Sequence, residues 1–232
     1  MTSSSSYKPV KAVIFDMDGT ILDTEKVYES VFADICKKYE KPFPHDTRMK
    51  LMGTSERKSC AITVEECGLP CTLDEFFKEF QVLTLQRLGG CDLLPGAERL
   101  IRHLHEKKVP IALATSSCEE SVVVKTAHYQ ELFNLFHHKL CGGTDPEVKE
   151  GKPAPDIFLL AAQRFNEKID PKDCLVIEDA PSGVKAARAA GMQCIMVPAK
   201  NVAEELKQEA TLVLNSLEDF KPEEFGLPAL DV

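Results

Sequence analysis

Val10-Lys11-Ala12-Val13-Ile14-Phe15-Asp16-Met17-Asp18-Gly19-Thr20 is the stretch on which the fold turns. An apolar run rich in β-branched residues stops abruptly at two carboxylates one residue apart. A strand buried on both faces reads as such a near-continuous hydrophobic run, and parallel sheets are built from such strands. In open α/β sheets, sites form just beyond the carboxyl ends of the strands. Asp16 is therefore expected at the tip of a central strand, with Asp18 on the loop that leaves it. Gly19 lets that loop turn without a Cβ clash. A plain polar turn would look similar, as would a calcium loop of the EF-hand type. The calcium loop needs its Gly at the sixth position, further carboxylates and a preceding helix. Gly19 comes fourth and Ile21-Leu22 follows, so that reading fails.

Working outward, the chain has 232 residues, 44% hydrophobic and 28% charged, enough to bury a sizeable core in one large domain or two modest ones. The net charge of −9 argues against nucleic acid or an anionic membrane as the main partner. No segment is long enough to span a membrane. Nine cysteines are scattered, and Cys36, Cys174 and Cys194 lie within apolar segments. Cys67 and Cys71 are the closest pair, with no second pair or His cluster to complete a zinc site. Buried thiols in a reducing cytosol are the expectation. Residues 1–9 are polar and Ser-rich and read as a frayed tail.

From Thr24 to about Cys91 no convincing strand occurs. Val27, Val31, Phe32 and Ile35 mark one face of a first helix, ended by Pro42 and Pro44. Thr54-Ser55 can cap a second helix that closes near Gly68. Thr72-Leu73-Asp74-Glu75 is a capping box that opens a third, which ends at Gly89-Gly90. From Leu94 strands and helices alternate. Strands are expected at 111–114, 174–177, 195–197 and 212–214. One long helix is expected from about Glu119 to Phe133, and an Ala-rich helix from Ser182-Gly183 to Gly191. The expected fold is α/β, a Rossmann-like doubly wound parallel sheet core with a small all-helical cap domain inserted after the first strand. The core takes residues 8–22 and 92–232, the cap 23–91.

Three strand ends carry polar residues: Asp16/Asp18, Thr115/Ser116 and Glu178/Asp179. Lys152 precedes the last of these, in Gly151-Lys152-Pro153. In this order the motifs resemble all four signatures of the haloacid dehalogenase superfamily, over essentially the whole chain. Each motif alone has a bland reading, as a helix cap, a solvated lysine or an acidic turn. The resemblance implies a hydrolase for small-molecule phosphate monoesters. A carboxylate nucleophile is repelled by a phosphate dianion, and Mg²⁺ bridging carboxylates and phosphate oxygens removes that obstacle. Asp16 is then placed to attack phosphorus, and Asp18 to protonate the leaving alcohol and deprotonate the hydrolytic water. The implied metal ligands are Asp16, the Asp18 backbone carbonyl and Asp179, with Glu178 as a direct or water-mediated helper. Thr115 would offer a hydroxyl and Ser116 a backbone N–H to the phosphate, and Lys152 a fixed cation.

Asp145-Pro146-Glu147-Val148, Glu178-Asp179-Ala180-Pro181 and the tail 210–217 with Phe225-Gly226-Leu227-Pro228 further resemble the animal pseudouridine 5′-phosphatases. That resemblance implies hydrolysis of pseudouridine 5′-monophosphate to the nucleoside and phosphate. The cysteine usage points to the cytoplasm, and a monomer that binds neither nucleic acid nor membrane is expected. Glycerol-phosphate and sugar-phosphate phosphatases of the same cap class compete. So does a β-phosphoglucomutase-type mutase, which carries an Arg shortly after a Gly-x-Ser turn and a His in the first cap helix. This chain has Glu56 after Gly53-Thr54-Ser55, Arg57 one position on, and Tyr28 in the helix, which favours a phosphatase. A non-catalytic, phosphoprotein-like binding module is a further alternative, opposed by intact Asp16, Asp18, Lys152 and Asp179. Gly53, Thr54, Glu56 and Tyr28 are the candidate cap contacts to substrate.

Overall fold

The structure is a computed structural model that describes residues 7–51, 56–199 and 202–231. It divides the chain into two compact units, 1–22 with 93–232, and 23–92. The first unit holds strands β1 (Ala12–Phe15), β2 (Ile111–Thr115), β3 (His138–Cys141), β4 (Cys174–Glu178), β5 (Gln193–Met196) and β6 (Leu212–Val213), with helix α5 (Ala97–Glu106) leading into β2. All pair in parallel, in the order β3-β2-β1-β4-β5-β6. β1 lies at the centre with both neighbours drawn from far along the chain. Val13 is in register with Ile111 on one side and Leu175 on the other. The order reverses between β1 and β4, and such a reversal opens a crevice at the carboxyl ends of the strands.

β1, β2 and β4 are buried along their whole length, which is why they read as unbroken apolar runs. Alternation sends Ala12, Ile14, Ala112, Ala114 and Val176 to one side. There they meet α8 (Asp156–Gln163) and α9 (Pro181–Ala189), through Phe158, Ala161, Val184 and Ala187. Helix α9 is rich in alanine because it packs close to the sheet. Phe15 points the other way and meets Phe136 edge-on at 5.8 Å.

The second unit is helical: α1 (Glu25–Lys38), α2 (His45–Leu51), α3 (Glu56–Glu66) and α4 (Leu73–Leu88). Its core is aromatic. Phe32 stacks against Phe43, Phe76 and Phe80, over a floor of Val31, Ile35, Cys36 and Cys60. The Thr72–Glu75 capping box forms in both directions.

Four details differ from the sequence reading. β3 is a sixth strand, and α2 an extra helix. The expected helix 119–133 is broken into α6 (Glu119–Lys125), a 3₁₀ turn and α7 (Gln130–Phe133). Thr126 turns its hydroxyl back onto the Val122 carbonyl at that break, which weakens the helix locally. The supposed tail is pinned at its end: Tyr7 stacks on Phe225 with ring centroids 4.4 Å apart. All nine cysteines are free thiols. Among the described residues no helix is long and apolar enough to cross a membrane.

Candidate active site

Asp16 follows the last residue of β1, and its backbone N–H donates to the Ile177 carbonyl, which locks the tip of β1 to β4. Its side chain is buried among protein groups. Gly19, at φ +81°, reverses the following loop. A Cβ there would lie 2.2 Å from Asp179 Oδ2, so the carboxylate of Asp179 rests against bare backbone. Glycine is needed twice over at this position, for the left-handed backbone and for the close approach.

Lys152 reaches in from the loop before α8. Its ammonium donates to Asp16 Oδ1 at 2.6 Å, Glu178 Oε1 at 2.6 Å and the Ala114 carbonyl at 3.2 Å. Burial works against its charge, but the two carboxylates outweigh that and hold its pKa above the ordinary range. Asp16 is pushed up to about 7, chiefly by burial and by the nearby Glu178 and Asp18, with Lys152 pulling the other way. Two buried carboxyls thus share one ammonium, and full ionisation of both leaves negative charge that Lys152 alone does not compensate.

Glu178 ends β4 and is fully buried. Its second oxygen accepts the N–H groups of Asp179 and Ala180, at 3.0 and 3.1 Å, where the chain turns into α9. A Cβ on Gly183 would fall 1.8 Å from Glu178 Oε1, so the first turn of α9 is open for this carboxylate alone.

Oxygens of Asp16, Glu178 and Asp179 lie within 4.8 Å of one another. An all-oxygen, carboxylate-rich set suits a hard divalent cation such as Mg²⁺. Burial and the neighbouring carboxylates make ionisation of Asp16 costly without a further cation, so the residues fit the ion that the sequence implies.

Asp18 stands on the other side of the loop. Its Oδ2 accepts from Ser117 Oγ at 2.8 Å and from Thr115 Oγ1 at 3.3 Å. Its Oδ1 forms an ion pair with Lys125 Nζ at 2.7 Å. Ser116 lines a small cavity of about 50 Å³ together with Gly142, Gly151 and Lys152. The structure therefore brings Asp16, Asp18, Thr115, Lys152, Glu178 and Asp179 together at one end of the sheet, with Ser116 beside Lys152. Gly53 and Thr54 lie outside the described residues. Tyr28 sits in the helical unit, where its hydroxyl donates to Glu56 Oε1 at 3.1 Å and its ring stacks on Phe80. Arg57, in the same unit, is held by Asp74 at 2.5 Å and lies over the Phe77 ring.

Sequence reasoning missed Ser117 and Lys125. Lys125 passes for an ordinary lysine at the end of a helix. The available signal was its place three residues after Val122, on the buried stripe of α6.

A family model described as haloacid dehalogenase-like hydrolase matches residues 10–191. The chain belongs to the haloacid dehalogenase-like hydrolases. It is 48% identical, over 96% of each chain, to a Drosophila melanogaster protein named "Probable pseudouridine-5′-phosphatase". It is 45% identical to (DL)-glycerol-3-phosphatase 2 of Arabidopsis thaliana, over 94% of this chain and 92% of the relative. A crystal structure of a HAD family hydrolase from Deinococcus radiodurans, with bound phosphate and sodium, superposes with a TM-score of 0.79. It covers 96% of this chain and 100% of its own at 24% identity, a likeness of fold.

Proposed function

We propose that the protein is a Mg²⁺-dependent phosphomonoesterase that works through an aspartyl phosphate on Asp16. The observation that carries this reading is the pair Asp16 and Asp18 at the end of β1, with Lys152 on Asp16 and Asp179 beside it. Mg²⁺ would be held by the carboxylates of Asp16 and Asp179 and the Asp18 carbonyl, with Glu178 as helper, and would supply charge neutralisation for the phosphate dianion. The chain's own residues do the rest. Asp16 Oδ attacks phosphorus, and the ester bond to the alcohol breaks. Asp18 gives its proton to the leaving oxygen, then takes one from the water that cleaves the acyl phosphate. Lys152 stabilises charge on the transferring group from a position fixed by Glu178. Thr115 and Ser116 bind phosphate oxygens.

Pseudouridine 5′-monophosphate is the substrate we favour, on the strength of the 48% identity. A glycerol phosphate is the second reading, favoured by the 45% identity to the Arabidopsis enzyme. The mutase reading is weaker because Arg57 is already engaged with Asp74 and Phe77. Selection among esters is assigned to the helical unit, with Tyr28 and Glu56 as its first candidates. Nine thiols support a reducing compartment, and the cytosol fits. We take the working form to be a monomer.

The test is phosphate release from pseudouridine 5′-monophosphate, glycerol 3-phosphate and hexose phosphates, with Mg²⁺ and with chelator. The nucleotide should give the highest kcat/KM, chelator should abolish turnover, and Asp16→Asn should be inactive yet folded. Substantial turnover by Asp16→Asn would remove the covalent mechanism.

A further inference from the structure

Lys125 is a lysine where the fold gives no reason for one. It faces inward from the last turn of α6, and its side chain is 1% exposed. Fully buried lysines are rare because taking an ammonium out of water is expensive. Apolar residues of similar volume often replace buried ion pairs without loss of stability, so packing alone does not call for this charge. Two groups meet it. Its ammonium is 2.7 Å from Asp18 Oδ1 and donates to Ser117 Oγ at 2.8 Å. Ser117 Oγ in turn donates to Asp18 Oδ2 at 2.8 Å. The backbone N–H of Ser117 donates to Thr115 Oγ1 at 3.1 Å, which ties the serine to the end of β2.

A closed ring results: ammonium, hydroxyl, and both oxygens of one carboxylate. We propose that Lys125, with Ser117 as its strut, is a positioning residue that fixes the plane and direction of the Asp18 carboxyl for its proton transfers. The inference rests on the reading of Asp18 as the acid and base. Proton transfer demands hydrogen-bond geometry at the reacting oxygen. The backbone of Asp18 is bridged to Leu22, but a backbone bridge does not set the direction of the carboxyl, which falls to the side chain's own partners. Two hydroxyl donors on Oδ2 and the ammonium paired with Oδ1 supply that restraint without the side chain having to be ordered anew in each turnover. The two buried lysines thus divide the carboxylates between them: Lys152 pairs with Asp16 and Glu178, Lys125 with Asp18.

The test uses the full chain with Mg²⁺ and two substrates, pseudouridine 5′-monophosphate and p-nitrophenyl phosphate. Lys125→Met should lower kcat on the nucleotide by about 10–100-fold, as loss of an orienting partner does, with KM within about twofold. First-step release of p-nitrophenolate, which needs no proton, should fall less. Lys125→Arg should recover part of the loss. In an Asp18→Asn background the same Lys125→Met change should have no further effect, because nothing remains to position. Thermal midpoints report folding, and if Lys125→Met does not fold, Ser117→Ala is read the same way with a smaller loss. An unchanged kcat in a folded Lys125→Met enzyme overturns the inference. So does an equal loss in the Asp18→Asn background, or a loss confined to KM, which would make Lys125 a phosphate ligand. If Asp18→Asn itself costs nothing, the acid–base role in the proposed function falls, and this inference with it. If the wild type and Asp18 behave as proposed and only Lys125 is silent, the inference alone is lost.

Discussion

At the scale of single residues, the site depends on side chains that are missing as much as on those present. Gly183 has no catalytic group, yet Glu178 occupies the space a Cβ would need. Glu178 holds Lys152, and Lys152 holds Asp16. Gly183→Ala should therefore displace Glu178 and loosen the lysine. A fall in kcat of about 10–100-fold is expected, the usual consequence of losing an orienting partner. Thermal unfolding should register it too, because displaced Glu178 leaves the N–H groups of Asp179 and Ala180 without their acceptor. A Gly183→Ala enzyme with normal kcat would show that Lys152 does not depend on this anchor. The acidic residues were legible in the sequence because chemistry forces a carboxylate pair to the end of a buried strand. The glycines that make room for them were not. Nothing local separates a glycine that admits a neighbour's side chain from one that only eases a turn.

Among the elements, β3 is the one least visible from sequence. Its residues, His138-Lys139-Leu140-Cys141, bury fully only at Leu140. An edge strand has one neighbour and needs no continuous apolar run, so the signal that reveals β1, β2 and β4 is absent. What fixes β3 is partly the loop after it. Arg164, at the end of α8, forks onto both oxygens of Asp145 at 2.6 and 3.1 Å and also reaches Glu147 at 2.6 Å. These bonds hold the Asp145 carboxyl below its ordinary pKa. A carboxyl whose folded pKa is depressed adds stability above its unfolded value, and loses it as pH falls through the folded value. Asp145→Asn should then be less stable than wild type at pH 7, by about 1 kcal/mol for a pair so near the surface. Urea midpoints should converge as pH falls below about 4. A deficit that persists in acid would mean that the neutral hydrogen bonds, and not the charge, tie β3 to α8. The helices of the second unit were easier to read: Thr72–Glu75 announces α4 by a local rule, and Val31, Phe32 and Ile35 announce α1 by their spacing. Lys125 was hidden by the same spacing rule, because a charge on a buried stripe looks like an exception.

For the whole molecule, the decisive feature is where one unit interrupts the other. Leu22 and Leu93 form an antiparallel bridge, and the Asp23 N–H donates to the Asp92 carbonyl at 2.9 Å. The two ends of the helical unit are thus one hydrogen bond apart. Replacing residues 23–92 with a short Gly/Ser linker should leave a core that unfolds cooperatively and still hydrolyses p-nitrophenyl phosphate slowly. That core should no longer rank phosphate esters, if the helical unit selects them. Failure of the excised core to fold would mean that the lobe is part of its stability. The central place of β1 has a different consequence, for the chain as it is made. β1 is synthesised first, but its partners arrive only with β2 and β4, the latter starting at residue 174 against 15 for the end of β1. Pairings this distant in sequence form slowly and leave apolar strands uncovered in the meantime. A ribosome that has released β1 therefore carries a wholly apolar strand that has no partner until β2 appears at residue 111, and one open edge until β4 appears at residue 174. Asp16, Glu178 and Asp179 are not all present until residue 179 emerges, and the second edge of β1 is left open almost as long.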